Sequence, residues 1–285
     1  MDLVRSDLAT ECAEVQGVGV RVRRAEAEGC EVTHVRVESE EAALRIGKPQ
    51  GRYVSVDCGN LCELDELAEE RVCRVIAVEI REMAQNMCKK RVGSDFSVLV
   101  VGLGNAEMTP DALGAKTVKT LPVTRHFSRE GVLLSPEFCS ICALCPGVVG
   151  QTGIEVAELL CGAVKSTSPD LVIAVDALAA RSPARLCGTV QLADSGIQPG
   201  GGVGNPRRPL TQKSIGVPVM ALGVPTVINC EALLKDVLTA YSSSYVSRAD
   251  REKLRSFFLC PKEIDLLVGR AGVLLARALE KAFRI

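Results

Sequence analysis

The chain has 285 residues, with 34 Lys and Arg against 35 Asp and Glu and a formal net charge of -1. Its 47% hydrophobic and 24% charged residues are the composition of a globular protein, and balanced charge, no Trp and 3% aromatics argue against a nucleic-acid clamp or a base-stacking platform. No apolar run approaches the roughly 18 residues of a membrane span. Met1 to Glu14 carry Asp2, Arg5, Asp7 and Glu11 where a signal peptide has its apolar core, so an intracellular setting is expected, with the thirteen Cys as reduced thiols.

In chain order, Val18 to Val22, Val32 to Val37 and Tyr53 to Asp57 read as short alternating strands. From Glu63 to Lys90, Leu64, Leu67, Val72, Val75, Ile76, Ile80 and Met83 recur at helical spacing, which predicts a long amphipathic helix stopped by Gly93. Ser97 to Leu103, Leu171 to Val175 and Val217 to Leu222 are continuous apolar runs, as in strands buried on both faces, and Thr189 to Leu192 is a fourth candidate. Ile154 to Val164 is helical, with Thr152 and Glu155 spaced as a capping box. Glu231 to Ala240 and Lys262 to Phe283 predict two C-terminal helices joined through a polar stretch, Ser242 to Ser247. No internal repeat is visible. Strands alternating with helices predict an α/β fold, a mostly parallel twisted sheet flanked by helices, in one domain over residues 1–285.

In parallel sheets, ligands gather beyond the carboxyl ends of the strands. Three segments fall there: Gly102 to Gly114, Asp176 to Arg181 and Asp194 to Asn205, each holding an Asp. Asp111 sits where a helix-start carboxylate is favoured, the commoner fate of an Asp there. Asp176 ends an apolar run, where a carboxylate costs desolvation unless paired, hydrogen-bonded or working, so a working role weighs at least as much as a structural one. If the two meet, they can share a proton, one activating water and the other polarising a carbonyl. Asp194-Ser195-Gly196 resembles the D-[ST]-G turn of pepsin-like proteases, but those folds are all-β and an ordinary turn explains it equally well. Glu107 stands where a dinucleotide fingerprint needs its third Gly, and the Gly200 to Gly204 loop lacks a G-K-[ST] ending, so neither phosphate motif is present. Cys139, Cys142 and Cys145 resemble part of an iron–sulfur run whose fourth ligand is missing, since position 149 is Val, and incidental thiols are the better reading. His126 and His34 are the only histidines; His126 reads as structural or as orienting a carboxylate, and His34 as a surface residue.

Taken together, R-S-D-L-A-T-E (from Arg5), I-G-K-P-Q-G-R-Y-V-S (Ile46 to Ser55), V-V-G-L-G-N-A-E-M-T-P-D-A-L-G, V-T-R-H, G-V-V-G-Q-T-G-I-E, P-D-L-V-I-A-V-D-A-L-A-A-R, Q-L-A-D-S-G-I-Q-P-G-G-G-V-G-N, G-V-P-V-M-A-L-G-V-P-T-V and P-K-E-I-D closely resemble the germination proteases of spore-forming bacteria, in order along the chain. The resemblance implies an endopeptidase of the spore core that degrades small acid-soluble spore proteins. It also implies a tetramer made as a zymogen, with a fold like that of hydrogenase-maturation proteases and no cofactor, metal, membrane or nucleic acid. By motif, its two essential Asp residues fall on Asp111 and Asp176, with Asp194, Arg181, His126 and Glu155 as secondary candidates for orienting or substrate roles. Relatives carry a longer pro-segment ending near R-S-D-L-A, so a cut around Asp7-Leu8 makes residues 1–7 a very short propeptide. Ala115 departs from the family's usual Pro, and the Val227 to Pro261 region is shorter than usual. The competing readings are a metal-dependent maturation-type peptidase and a Cys-rich redox or iron–sulfur binding protein on the same scaffold.

Overall fold

The computed structural model describes residues 6–13, 17–129, 138–202, 204, 207–239, 253–254 and 256–284. Its sheet is built from β1 (Val20–Ala27), β2 (Cys30–Val37), β3 (Gly51–Asp57), β4 (Ser97–Gly102), β5 (Ser140–Leu144), β6 (Leu171–Ala180), β7 (Thr189–Ala193), β8 (Val219–Asn229) and β9 (Phe258–Leu259), in the order β1-β2-β3-β7-β8-β6-β4-β5, with β9 also on β8. The expectation of a mostly parallel sheet is corrected here. Only β8-β6, β6-β4 and β4-β5 pair in parallel, while β1 to β3, β7 and β9 join antiparallel. Hairpin β1-β2 turns through Glu28 and Gly29, both at positive φ, and a hairpin connection makes neighbouring strands antiparallel.

One face carries α3 (Glu66–Cys88), α4 (Leu113–Thr120) and α10 (Ile264–Phe283), which pack on one another and on the sheet. Helix α3 starts where Asp65 caps the Ala68 N–H at 2.7 Å and buries Val72, Val75, Ile76, Ile80 and Met83, one stripe at helical spacing. It ends at Lys89 (φ 50), four residues before the expected Gly93. The ammonium of Lys90 turns away to the Asp170 carboxylate at 3.1 Å and the Asp95 carbonyl at 2.8 Å, which holds the chain out of helix. Phe96 and Phe283 stack at 6.0 Å between centroids within this core.

The other face carries α1 (Ala9–Ala13) and α2 (Glu40–Ile46) over β2, β3 and β7, and α7 (Val156–Thr167) and α8 (Gln212–Ile215) over β4, β6 and β8. Short helices α5 (Arg125–Arg129) and α6 (Val149–Thr152) flank β5, and α9 (Cys230–Thr239) follows β8. Thr152 closes α6 and does not cap α7, whose N-cap is Glu155 with no side-chain bond; Thr152 Oγ1 instead accepts from the Ile154 N–H at 3.2 Å, across the left-handed Gly153. The connection 242–247 lies outside the described residues. No described helix is long and apolar enough to cross a membrane.

Candidate active site

Strand β6 does not end at Val175 as its apolar run suggests but continues to Ala180, so Asp176 lies inside a strand. Neighbouring β4 stops at Gly102, opposite Val175. Beyond that point one edge of β6 has no strand to bond among the described residues, and each of the next three N–H groups on that edge donates to a carboxylate. The Ala177 N–H bonds Asp176 Oδ1 at 3.0 Å, the Ala179 N–H bonds Asp7 Oδ2 at 2.9 Å, and the Arg181 N–H bonds Glu11 Oε2 at 2.8 Å. Unpaired edge donors must be satisfied somewhere; here acids do it.

Side chains alternate across the sheet. On β6, Val172 and Ala174 lie under α7 and α8, while Leu178 and Ala180 lie under Leu8 in the segment that leads into α1. Asp176 falls between these two covers and is 7% exposed. Burial holds its carboxyl well above the ordinary carboxylate range, and the nearby charges of Asp111 and then Asp7 push the same way, with only the Ala177 N–H opposing them.

Asp111 ends a single 3₁₀ turn, Thr109–Asp111, in the connection from β4 to α4. The turn is docked tightly because Gly114, at the start of α4, touches Leu103, just past the end of β4, and Val175 within β6; a Cβ there would come within 2.6 Å of the Val175 carbonyl oxygen. The Leu103 N–H donates to the same Val175 oxygen at 2.8 Å, tying this connection to β6 one residue before Asp176. Asp111 Oδ2 accepts from the Asn105 N–H at 2.7 Å, and burial raises its proton affinity above the usual value despite that bond. The two acids selected from sequence are thus close enough for the charge of one to disfavour ionisation of the other.

The secondary candidates spread out. Glu155 lies near the same end of the sheet: α6 is fastened to the Asp111 connection by Gln151 Nε2 donating to Asn105 Oδ1 at 3.0 Å, and Glu155 Oε2 is buried without a partner among the described residues. Arg181 follows β6 directly and is joined through its N–H to Glu11. Asp194 is held by Arg52, through its N–H at 2.7 Å and its Nε at 2.9 Å, in the turn that Gly196 completes at φ 77. His126 is exposed in α5, against Phe127 at 3.9 Å between centroids. Its helix leans on the amino end of β5, where Thr124 bonds Ile141, the opposite end from Asp176. His34 is half-buried, with Glu79 at 3.7 Å.

Sequence reasoning missed three residues at this site: Asp7, Lys48, whose Nζ stands 4.0 Å from Asp7 Oδ1, and Gln191. All three sit inside motifs quoted for the resemblance, which was the only signal for them. They line a cavity of about 410 Å³. Among the described residues no group of three or more His, Cys, Asp or Glu is placed to hold a metal ion. Cys139 and Cys142 point to opposite faces of the sheet, bonding the Gly93 and Val98 carbonyls, because a three-residue step along a strand reverses the side chain.

The family model for germination protease matches residues 3–257. The chain belongs to the germination protease family. Three relatives that bear the name Germination protease show the breadth of the match. That of Caldanaerobacter subterraneus subsp. tengcongensis is 37% identical, over 99% of this chain and 94% of its own length. That of Clostridium acetobutylicum is 39% identical over 100% and 96%, and that of Priestia megaterium 39% identical over 82% and 66%. As a member of this family the chain is a protease associated with spore germination.

Proposed function

We propose that this protein is an endopeptidase that starts the breakdown of small acid-soluble spore proteins, with Asp111 and Asp176 as its working pair. The observation that carries the reading is the burial of Asp176 within the electrostatic reach of Asp111. Two such carboxyls cannot both ionise readily, so one is an acid and the other a carboxylate at the same pH. The carboxylate takes a proton from water as it attacks the peptide carbonyl, and the acid returns one to the leaving nitrogen. No metal is needed for either step. Glu155 and Arg181 serve as orienting or substrate-binding groups on this reading, and Asp194 and His126 act from farther away.

The same reading makes the chain a zymogen of one catalytic domain, cut at Asp7-Leu8, with a homotetramer and the spore core as its assembly and compartment. Kinship in fold with hydrogenase-maturation proteases belongs to it too, supported by the parallel half-sheet β8-β6-β4-β5.

The test is incubation of purified chain with a small acid-soluble spore protein near neutral pH, with and without a chelator, and sizing of fragments by mass. Discrete fragments that survive chelation and disappear in Asp111→Asn and Asp176→Asn are expected. Cutting that needs a metal, or persists at a normal rate in either variant, overturns the carboxylate pair.

A further inference from the structure

The N-terminal segment lies beside Asp176 held as a peptide substrate is held, and the side chain that grips it is Gln191. Gln191 Nε2 donates to the Asp7 carbonyl oxygen at 2.8 Å, and Gln191 Oε1 accepts from the Ala9 N–H at 2.6 Å. One amide thus bonds the main chain on both sides of Leu8. The Asp7 N–H donates to the Ala179 carbonyl at 2.8 Å, and the Leu8 side chain is fully buried against Leu178 and Ala180. Residues 7–9 are fixed in direction and register before any chemistry.

The sheet sets Gln191 against Asp176. Gln191 on β7 pairs with Gly223 on β8, and Gly223 pairs with Asp176 on β6. Residues in one row across a sheet point to the same face, and two strand spacings separate the outer pair by roughly 10 Å at Cα. The middle residue has no side chain. A Cβ on Gly223 would come within 2.6 Å of the Asp176 carbonyl and 2.7 Å of Leu178 Cγ, so close packing, with Leu178 leaning over this position, requires glycine. The Asp176 carboxyl and the Gln191 carboxamide therefore rise from the same face of the sheet, with Gly223 and the overlying Leu178 between them, and Gln191, Gly223 and Leu178 line the 410 Å³ cavity.

We infer that Gln191 is a catalytic residue of this site, its Nε2–H holding the carbonyl oxygen of the bond to be cut and stabilising the negative charge that develops on it. The inference rests on the reading that the chain cuts its own Asp7-Leu8 bond. Water adds through its oxygen to the Asp7 carbonyl carbon and gives a proton to the carboxylate of the Asp111–Asp176 pair. The carbonyl π electrons move onto the oxygen that Gln191 holds. Collapse restores the C=O, breaks the bond to the Leu8 nitrogen, and that nitrogen takes a proton from the acid of the pair. A carboxyl at Asp7 and an amine at Leu8 result, with water as the only co-reactant. Once residues 1–7 leave, the same amide is free to hold the carbonyl of a substrate.

Gln191→Glu tests this, because it keeps the size and the acceptor for the Ala9 N–H but removes the donor. The full chain is followed by mass for loss of residues 1–7, and for cutting of an added peptide with the sequence of residues 4–13. A donor of this kind is worth about 100- to 1000-fold in rate, so Gln191→Glu should slow both reactions by that factor, in kcat with KM nearly unchanged, while its melting temperature stays close to the parent's. If the parent chain cuts elsewhere or not at all, the self-processing reading falls and takes this inference with it. If the parent loses residues 1–7 and Gln191→Glu does so at a similar rate, only the role of Gln191 falls. A defect confined to KM also overturns it, leaving a binding clamp. Should Gln191→Glu fail to fold, Gln191→Met, neutral and of similar size, gives the same comparison.

Discussion

Asp176 combines burial with two like-charged neighbours, and the consequence for stability has a definite sign. Its folded-state proton affinity is raised above that of the unfolded chain, so the folded state holds the proton more tightly. The stability this gives is fully present below the ordinary Asp value of about 3.9 and is lost as pH rises through the raised folded value. Asp176→Asn cannot ionise, and its side-chain oxygen can still accept from the Ala177 N–H. It should therefore melt higher than the parent at pH 8, with the difference shrinking toward pH 4 in calorimetry; a constant difference would show that ionisation of Asp176 costs the fold nothing. Activity should run oppositely, with Asp111→Asn and Asp176→Asn each slowing cleavage by at least about 100-fold, the lower bound for losing general acid–base help. The sequence pointed to both acids through their place after apolar runs. It could not point to Asp7 or Gln191, because an acid near the N-terminus and an amide within a strand have no local pattern, and their roles arise only from pairing across β6, β8 and β7.

Among the elements, the connection from β4 to α4 does most to place the site, and Gly114 is where it is tightest. Gly114→Ala forces a methyl against the backbone of β6, and overpacking of this kind costs about 1–3 kcal/mol. A chemical denaturation midpoint should fall accordingly. Activity should drop further than stability explains, since Asp111 rides on the same turn. Helices α3 and α10 were legible because apolar residues recur at helical spacing, buried from Val72 to Ala84 in the first and from Leu267 to Phe283 in the second, although Leu67 of the expected stripe is exposed. Strands β4, β6 and β8 were legible because burial on both faces leaves continuous Val, Leu and Ala. Two boundaries misled for physical reasons. A buried Asp reads as the end of a strand when its donor, here the Ala177 N–H, cannot be seen, and Thr152 reads as a cap although a left-handed Gly153 separates it from α7. The direction of β3 and β7 was beyond reach, since a half-buried strand alternates in the same way whichever way its neighbour runs.

For the whole molecule, the halves of the sheet divide the work. The parallel half carries Asp176 and, at its end, Asp111, while the antiparallel half brings Gln191 and the α2 turn that bears Lys48. The side away from the site is tied by charges, with Glu69 accepting from Arg270 at 3.1 Å and Arg277 at 2.7 Å, and Glu70 from Arg277 at 2.8 Å. Glu69→Ala breaks two partly exposed pairs and should lower unfolding free energy by about 1 kcal/mol in urea titration, with cleavage unchanged. The short β4 has a further effect. Because it leaves the edge of β6 open, residues 6–11 occupy that edge while joined by one covalent chain to the body of the protein. A tethered segment competes as if it were present at millimolar concentration. On the self-processing reading, hydrolysis of the Asp7-Leu8 bond turns the Ser6-Asp7 part of that local competitor into a dilute free peptide, while Leu8 to Glu11 stay joined to the protein. The stretch of the β6 edge that Asp7 holds at Ala179 then passes from closed to accessible by loss of a tether alone, with no rearrangement of the sheet.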